Sequence, residues 1–143
     1  MTLYTIGFTK RSAENFFETL KSAGVRKLID IRINKTSQLA GFAKGTDLQY
    51  FLKVSAGITY ESVENLAPTK DLLNSYRSKK ITWDDFEDLY LNQIKSSNAL
   101  DTLNPSHFKN ACLLCSEHAA EKCHRRLLAE ELGKLWGIRI VHL

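Results

Sequence analysis

Apolar runs of strand length alternate with helix-patterned segments along this chain, and that alternation predicts an α/β fold. The expected architecture is a three-layer, doubly wound, mainly parallel five-stranded sheet with a helical insertion between strands three and four. Two further observations support it. The chain has 143 residues, 43% of them hydrophobic, which is enough for one buried core and ordinary for a globular protein. The expectation is a single α/β domain over residues 1–143. The second observation is the punctuation: Ser12 and Thr82 stand where helix caps are needed, and Gly24 and Gly57 where helices should stop.

Residues 3–6 form the first expected strand. Ser12 caps a helix over 13–21, stopped at Gly24, and residues 27–31 make the second strand. From Arg32 to Gly45 the periodicity is weak and reads as a long loop, with Gly41 to Gly45 an ordinary surface stretch. Thr46 or Asp47 caps a helix over 48–55, and 58–62 is the third strand. Pro68 opens a short helix to Tyr76. Thr82 and Asp85 have capping-box spacing for a longer helix carrying Phe86, Leu89, Tyr90 and Ile94. Residues 68–98 would be the insertion. Residues 111–115 are the fourth strand, 120–135 the last helix and 138–142 the fifth strand. The simplest doubly wound order is 3-2-1-4-5. It places the switch point, where such sheets bind ligands, between strands one and four.

Composition narrows the partners. No apolar run approaches the ~20 residues a membrane helix needs, and the first residues lack the basic-then-apolar pattern of a signal peptide. A cytoplasmic protein without a membrane partner is expected. The net charge of +4 admits an anionic small molecule or nucleic acid without demanding one. Basic residues occur as scattered pairs, with no polybasic block. Three cysteines argue against a disulfide framework.

Chemistry concentrates after the fourth strand. Cys115, Glu117, His118, Cys123, His124, Arg125 and Arg126 lie within a dozen positions, between an apolar strand and a helix. A helix N-terminus and nearby arginines favour a thiolate, so Cys115 is the candidate nucleophile or redox thiol. His124 and Glu117 would transfer protons. Arg32, Arg125 and Gly7 are the candidate ligand-binding residues: two guanidinium forks suit a phosphate or carboxylate, and glycine lets backbone approach closely. Asp30 beside Arg32 admits a second reading, a structural ion pair at a strand end. Cys112 and Cys115 have CxxC spacing, but on a strand they face opposite ways. That excludes a thioredoxin-type pair and leaves Cys112 as a core residue. The phosphatase loop fails because Glu121 occupies the sixth position after Cys115, where it needs arginine. Zinc suits the ligand types Cys115, His118, Cys123 and His124. With Cys123 and His124 adjacent and no second ligand pair elsewhere, no metal or cofactor is expected.

At these residues the chain resembles the domain-of-unknown-function four-eight-eight family. The resemblance spans nearly the whole chain. It rests on Thr5-Ile6-Gly7-Phe8-Thr9, Leu28-Ile29-Asp30-Ile31-Arg32, Ser37-Gln38-Leu39-Ala40-Gly41-Phe42, Leu66-Ala67-Pro68-Thr69, and on Cys115-Ser116-Glu117 followed by Cys123-His124-Arg125. It departs at Phe8, where many relatives carry histidine, and near Lys35, where they carry proline. The resemblance implies that Asp30, Arg32, Cys115, Glu117, Cys123, His124 and Arg125 form one constellation, and it implies no reaction. Two functions follow as expectations. One is an enzyme or ligand-binding domain with an anionic ligand (phosphate-containing, nucleotide or nucleic-acid) at the carboxyl ends of the strands. The other is a non-catalytic nucleic-acid- or partner-binding module with a structural Cys/His/Arg cluster.

Overall fold

The computed structural model describes residues 1–35, 41–117 and 119–143. Five parallel strands form one sheet: β1 (Thr2–Gly7), β2 (Lys27–Asp30), β3 (Thr59–Ser62), β4 (Ala111–Cys115) and β5 (Arg139–His142). Five α-helices accompany them: α1 (Ala13–Ser22), α2 (Gly45–Ala56), α3 (Lys70–Arg77), α4 (Trp83–Ser96) and α5 (His124–Trp136). The fold class is the expected α/β one, with helices in layers on both faces.

Alternation along each strand divides the core. Ile6, Leu28, Cys112 and Leu114 pack against Phe16 and Leu20 of α1 and Leu48 and Leu52 of α2. Leu3, Ile29 and Leu113 pack on the other face against α4 (Phe86, Tyr90, Ile94) and α5 (Leu127, Leu128, Leu132). Cys112 is thus a core residue, as its strand parity required. Local signals act as read. Ser12 accepts from the Asn15 amide, and Thr82 and Asp85 close a reciprocal capping box. Gly57 (φ 63°) and Gly137 (φ 64°) end α2 and α5 in the left-handed conformation that costs glycine least.

Three boundaries move. Thr69, not Pro68, caps α3. A short 3-10 turn at Gly41–Ala43 and the start of α2 replace part of the expected loop, because Ala43 is buried and Phe42 packs against Phe16 and Phe17. The last helix begins at His124 rather than near residue 120.

The larger correction is strand order. The sheet runs β3-β2-β4-β1-β5, not 3-2-1-4-5. β4 inserts between β2 and β1, pairing Ile29 with Leu113 on one side and Gly7 with Cys115 on the other. The burial pattern explains this: every residue of β4 is buried, whereas β3 and β5 each begin and end on exposed residues and occupy the edges. After β2 the chain moves towards β3 by way of α2, and after β4 towards β5 by way of α5, on opposite faces. The connections therefore diverge between β2 and β4, and a crevice opens beyond their carboxyl ends. α3 and α4 lie between β3 and β4 in the chain.

Gly7 makes the end of β1 compatible with this arrangement. A Cβ placed there would collide with the backbone carbonyl of Glu117 and lie 2.6 Å from Arg125 Nη1. Backbone cannot withdraw as a flexible side chain can. Gly7→Ala should therefore lower stability by about 3 kcal/mol, the upper end of overpacking costs, measured by urea unfolding. A loss under about 1 kcal/mol would show that the loop yields.

Candidate functional site

The crevice between β2 and β4 holds a cleft of about 580 Å³, counted out to its open mouth. Its lining includes Arg32, Cys115, Glu117, Cys123 and His124, together with Tyr76, Arg77, Trp83, Phe86 and Lys122. The segment after β2 meets the end of β4 directly, because the Ile31 amide bonds the Leu114 carbonyl at 3.2 Å. The strand-order correction therefore brings Arg32 next to Cys115, where the expected order set it one strand away.

Arg32 is fixed by Asp30. Nε donates to Oδ1 at 2.9 Å, Nη2 to Oδ2 at 2.8 Å, and the Arg32 amide to Oδ1 at 3.0 Å. The Tyr60 hydroxyl donates to Oδ2 at 2.6 Å. Burial, then this bond to Asp30, pushes the Tyr60 phenol well up, so it stays a donor. The Arg32 guanidinium lies 5.2 Å from the Phe8 ring centroid, within cation–π range. Thus the ion-pair reading of Asp30 and Arg32 holds, but it uses only part of the fork. Arg32 is 2% exposed, and its Nη1 has no hydrogen-bond partner among the described residues. A buried charged donor left unmatched costs on the order of 1–3 kcal/mol or more.

Cys115, Cys123 and His124 form the second group. His124 Nε2 lies 2.8 Å from the Ile31 carbonyl oxygen, which can only accept. Nε2 therefore carries a hydrogen, and Nδ1 faces Cys115 Sγ at 3.4 Å. The ring also packs edge-on against Tyr90, at 5.5 Å between centroids. Burial pushes the Cys115 thiol up. A hydrogen bond from Cys123, the Ser116 and Glu117 amides, and the Arg125 charge outweigh it and bring Cys115 below the ordinary thiol range. Cys123 moves oppositely: burial raises it, and the bond to Cys115 and that residue's charge raise it further. Of the two thiols, Cys115 is the one whose surroundings favour the thiolate, and Cys123 is the one held as a thiol donor. Burial alone raises Cys112 far above the ordinary range.

Arg125 and Gly7 are placed differently from expectation. Arg125 is fully buried. Its Nε donates to Thr5 Oγ1 at 3.2 Å, and its Nη1 to the Glu117 carbonyl and, at 3.9 Å, to Cys123 Sγ. It braces the loop from inside and is not among the cleft-lining residues. Gly7 makes room for that loop rather than for a ligand. Thr9 completes the brace: its amide (3.1 Å) and hydroxyl (2.8 Å) both donate to the Ser116 carbonyl. Glu117 is exposed at the cleft. His118 and residues 36–40 lie outside the described residues.

Cys115, Cys123 and His124 offer three buried ligand atoms within 4.8 Å of one another. Adjacency of Cys123 and His124 does not separate them, because Cys123 is the extended N-cap and His124 the first helical residue. The donor set is of a kind that suits Zn²⁺.

Tyr76, Arg77, Trp83 and Lys122 are among the cleft residues that carried no expected site role. Trp83 is the first residue of α4 and stacks on Phe86 at 5.1 Å. Its place beside the cleft depends on where α3 and α4 cross the sheet, which no local pattern states.

The family model described as "Domain of unknown function DUF488" matches residues 12–132. No curated protein and no solved structure matches the chain. Iodoacetamide at neutral pH should modify Cys115, reached through the cleft, and leave Cys112 untouched, as read by peptide mass spectrometry. Cys123→Ser should change the Cys115 rate. Labelling of Cys112 first, or none at Cys115 in the folded protein, would contradict the thiolate assignment.

Proposed function

We propose, for a chain that belongs to the DUF488 family by that match, an enzyme or ligand-binding domain that takes an anionic ligand in the β2–β4 cleft. The observation that carries the reading is Arg32. Two of its nitrogens are spent on Asp30, and the third is buried without a hydrogen-bond partner among the described residues, on a side chain that lines the cleft. An anion oxygen there would complete the fork in a setting of low dielectric, where a charge-assisted bond is strong. Lys122 and Arg77 add positive charge at the same cleft, against Glu117 as its one acidic residue among the described lining.

Cys115 is the reactive group in this reading, as nucleophile or redox thiol. A thiolate poised beside the bound anion would attack an electrophilic atom carried by it, forming a bond to sulfur while that atom's bond to its leaving group breaks and the leaving group departs with the electron pair and takes up a proton. His124 holds or releases a proton at Nδ1, and Glu117 exchanges protons with solvent at the mouth. Asp30 and Tyr60 position Arg32, Cys123 supports the thiolate, and Arg125 positions the loop rather than touching the ligand. A cleft whose fixed cation, Arg32, is buried suits a small anion better than a nucleic-acid backbone, whose recognition uses surface cations.

A zinc site is the second reading, favoured by the Cys115, Cys123 and His124 cluster. One experiment separates the two. Inorganic phosphate or sulfate should slow Cys115 alkylation in proportion to its binding. Arg32→Lys, which keeps the charge and loses the fork, should weaken that protection about tenfold or more. If Zn²⁺ at one equivalent blocks alkylation, a chelator restores it, and phosphate and sulfate have no effect, the metal reading replaces the anion reading.

A further inference from the structure

The cleft has two chemically different sides, and only one is explained by an anion. The same cleft is also lined by apolar and aromatic residues of α3 and α4. α3 has no fully buried residue, yet Leu72, Leu73 and Tyr76 are partly buried apolar residues on it, and Leu73 and Tyr76 line the cleft. Trp83, the first residue of α4, lies 5.4 Å from the Tyr76 ring and is stacked at 20° on the buried ring of Phe86. Phe86 thus fixes the Trp83 indole, and both Trp83 and Tyr76 remain partly exposed at the cleft. A fixed aromatic surface lining the same cleft as a buried, incompletely used guanidinium suits a ligand with a flat ring at one end and an anionic group at the other.

We propose that the ligand is a mononucleotide, its base on the Trp83–Tyr76 wall and its phosphate on Arg32. The inference rests on the anion reading of the same cleft and deepens it by naming the substrate class. A sugar phosphate would satisfy Arg32 and leave the aromatic wall against water. A nucleobase covers that wall and gains the stacking that bases make with aromatic side chains. Arg77, exposed at the end of α3, and Lys122 stand at the mouth, where they meet the ligand's remaining charge.

Tryptophan fluorescence tests this directly. Trp136 packs on Phe108 and is not a cleft-lining residue, so Trp136→Phe leaves Trp83 as the reporter. Titrate that protein with 5′-AMP, 5′-UMP, ribose 5-phosphate and inorganic phosphate, using calorimetry for ligands that do not quench. The nucleotides should quench Trp83 and bind about tenfold or more tighter than ribose 5-phosphate, roughly the worth of one base–aromatic stack. Trp83→Leu should erase that difference, while Trp83→Phe should keep most of it; thermal unfolding of each variant confirms the fold. If Trp83→Leu does not fold, the parent titration and Trp83→Phe carry the test. Equal affinity for nucleotides and ribose 5-phosphate would overturn the nucleotide assignment and leave the anion site standing. A preference that survives in folded Trp83→Leu would overturn it too. Binding of none of the four ligands would overturn the anion reading and this inference together.

Discussion

A guanidinium with no exposed surface organises the candidate site. Arg125 projects from the first turn of α5 and donates to Thr5 Oγ1 on β1 and to the Glu117 carbonyl in the loop after β4. A buried arginine is tolerable only when its donors are used, and these bonds decide where the loop runs. The loop in turn lays the Ser116 and Glu117 amides by Cys115, and Arg125 contributes its charge to the same sulfur. Gly7 is the complementary constraint, since any side chain there would occupy the space the loop carbonyl needs. Structural bracing and thiol activation come from one residue.

The second buried cation does different work. Arg32 is held by an adjacent carboxylate, a tyrosine behind that carboxylate and a phenylalanine ring over its face. Phe8 stands where many family relatives are expected to carry histidine. In this chain it supplies apolar bulk and a π face to the guanidinium rather than a titrating group. Arg32 is thereby rigid before any ligand arrives, which lowers the entropic cost of binding. Two buried arginines serve one cleft, one from inside the protein and one at its surface.

Much of this was legible in the sequence, and the reasons are local. Caps at Ser12 and Thr82, strand parity at Cys112 and the apolar-to-polar break after Cys115 depend on neighbours a few residues away, and those stood as read. Strand order depends on lateral pairing between distant segments, and several orders satisfy the same alternation. One signal was present: 111–115 is the least interrupted apolar strand, and such a strand belongs at the centre of a parallel sheet. With β4 central, Arg32 and Cys115 become neighbours. The placement of Arg125 was not legible for a related reason. Periodicity places it at the helix start, but not whether its side chain turns outwards to the cleft or back towards β1. Likewise Tyr76 and Trp83 sit at helix ends, and only the path of α3 and α4 over the sheet brings them to the cleft.

The account stands on a thiolate at Cys115, held in a buried setting that by itself would keep the proton on sulfur. The direct measurement is the pH titration of thiolate ultraviolet absorbance, taken as the difference between the unmodified protein and Cys115→Ser. The account predicts one thiolate with a midpoint clearly below the ~8.5 of a free cysteine. A midpoint at or above that value, in protein that remains folded through the titration, would contradict it.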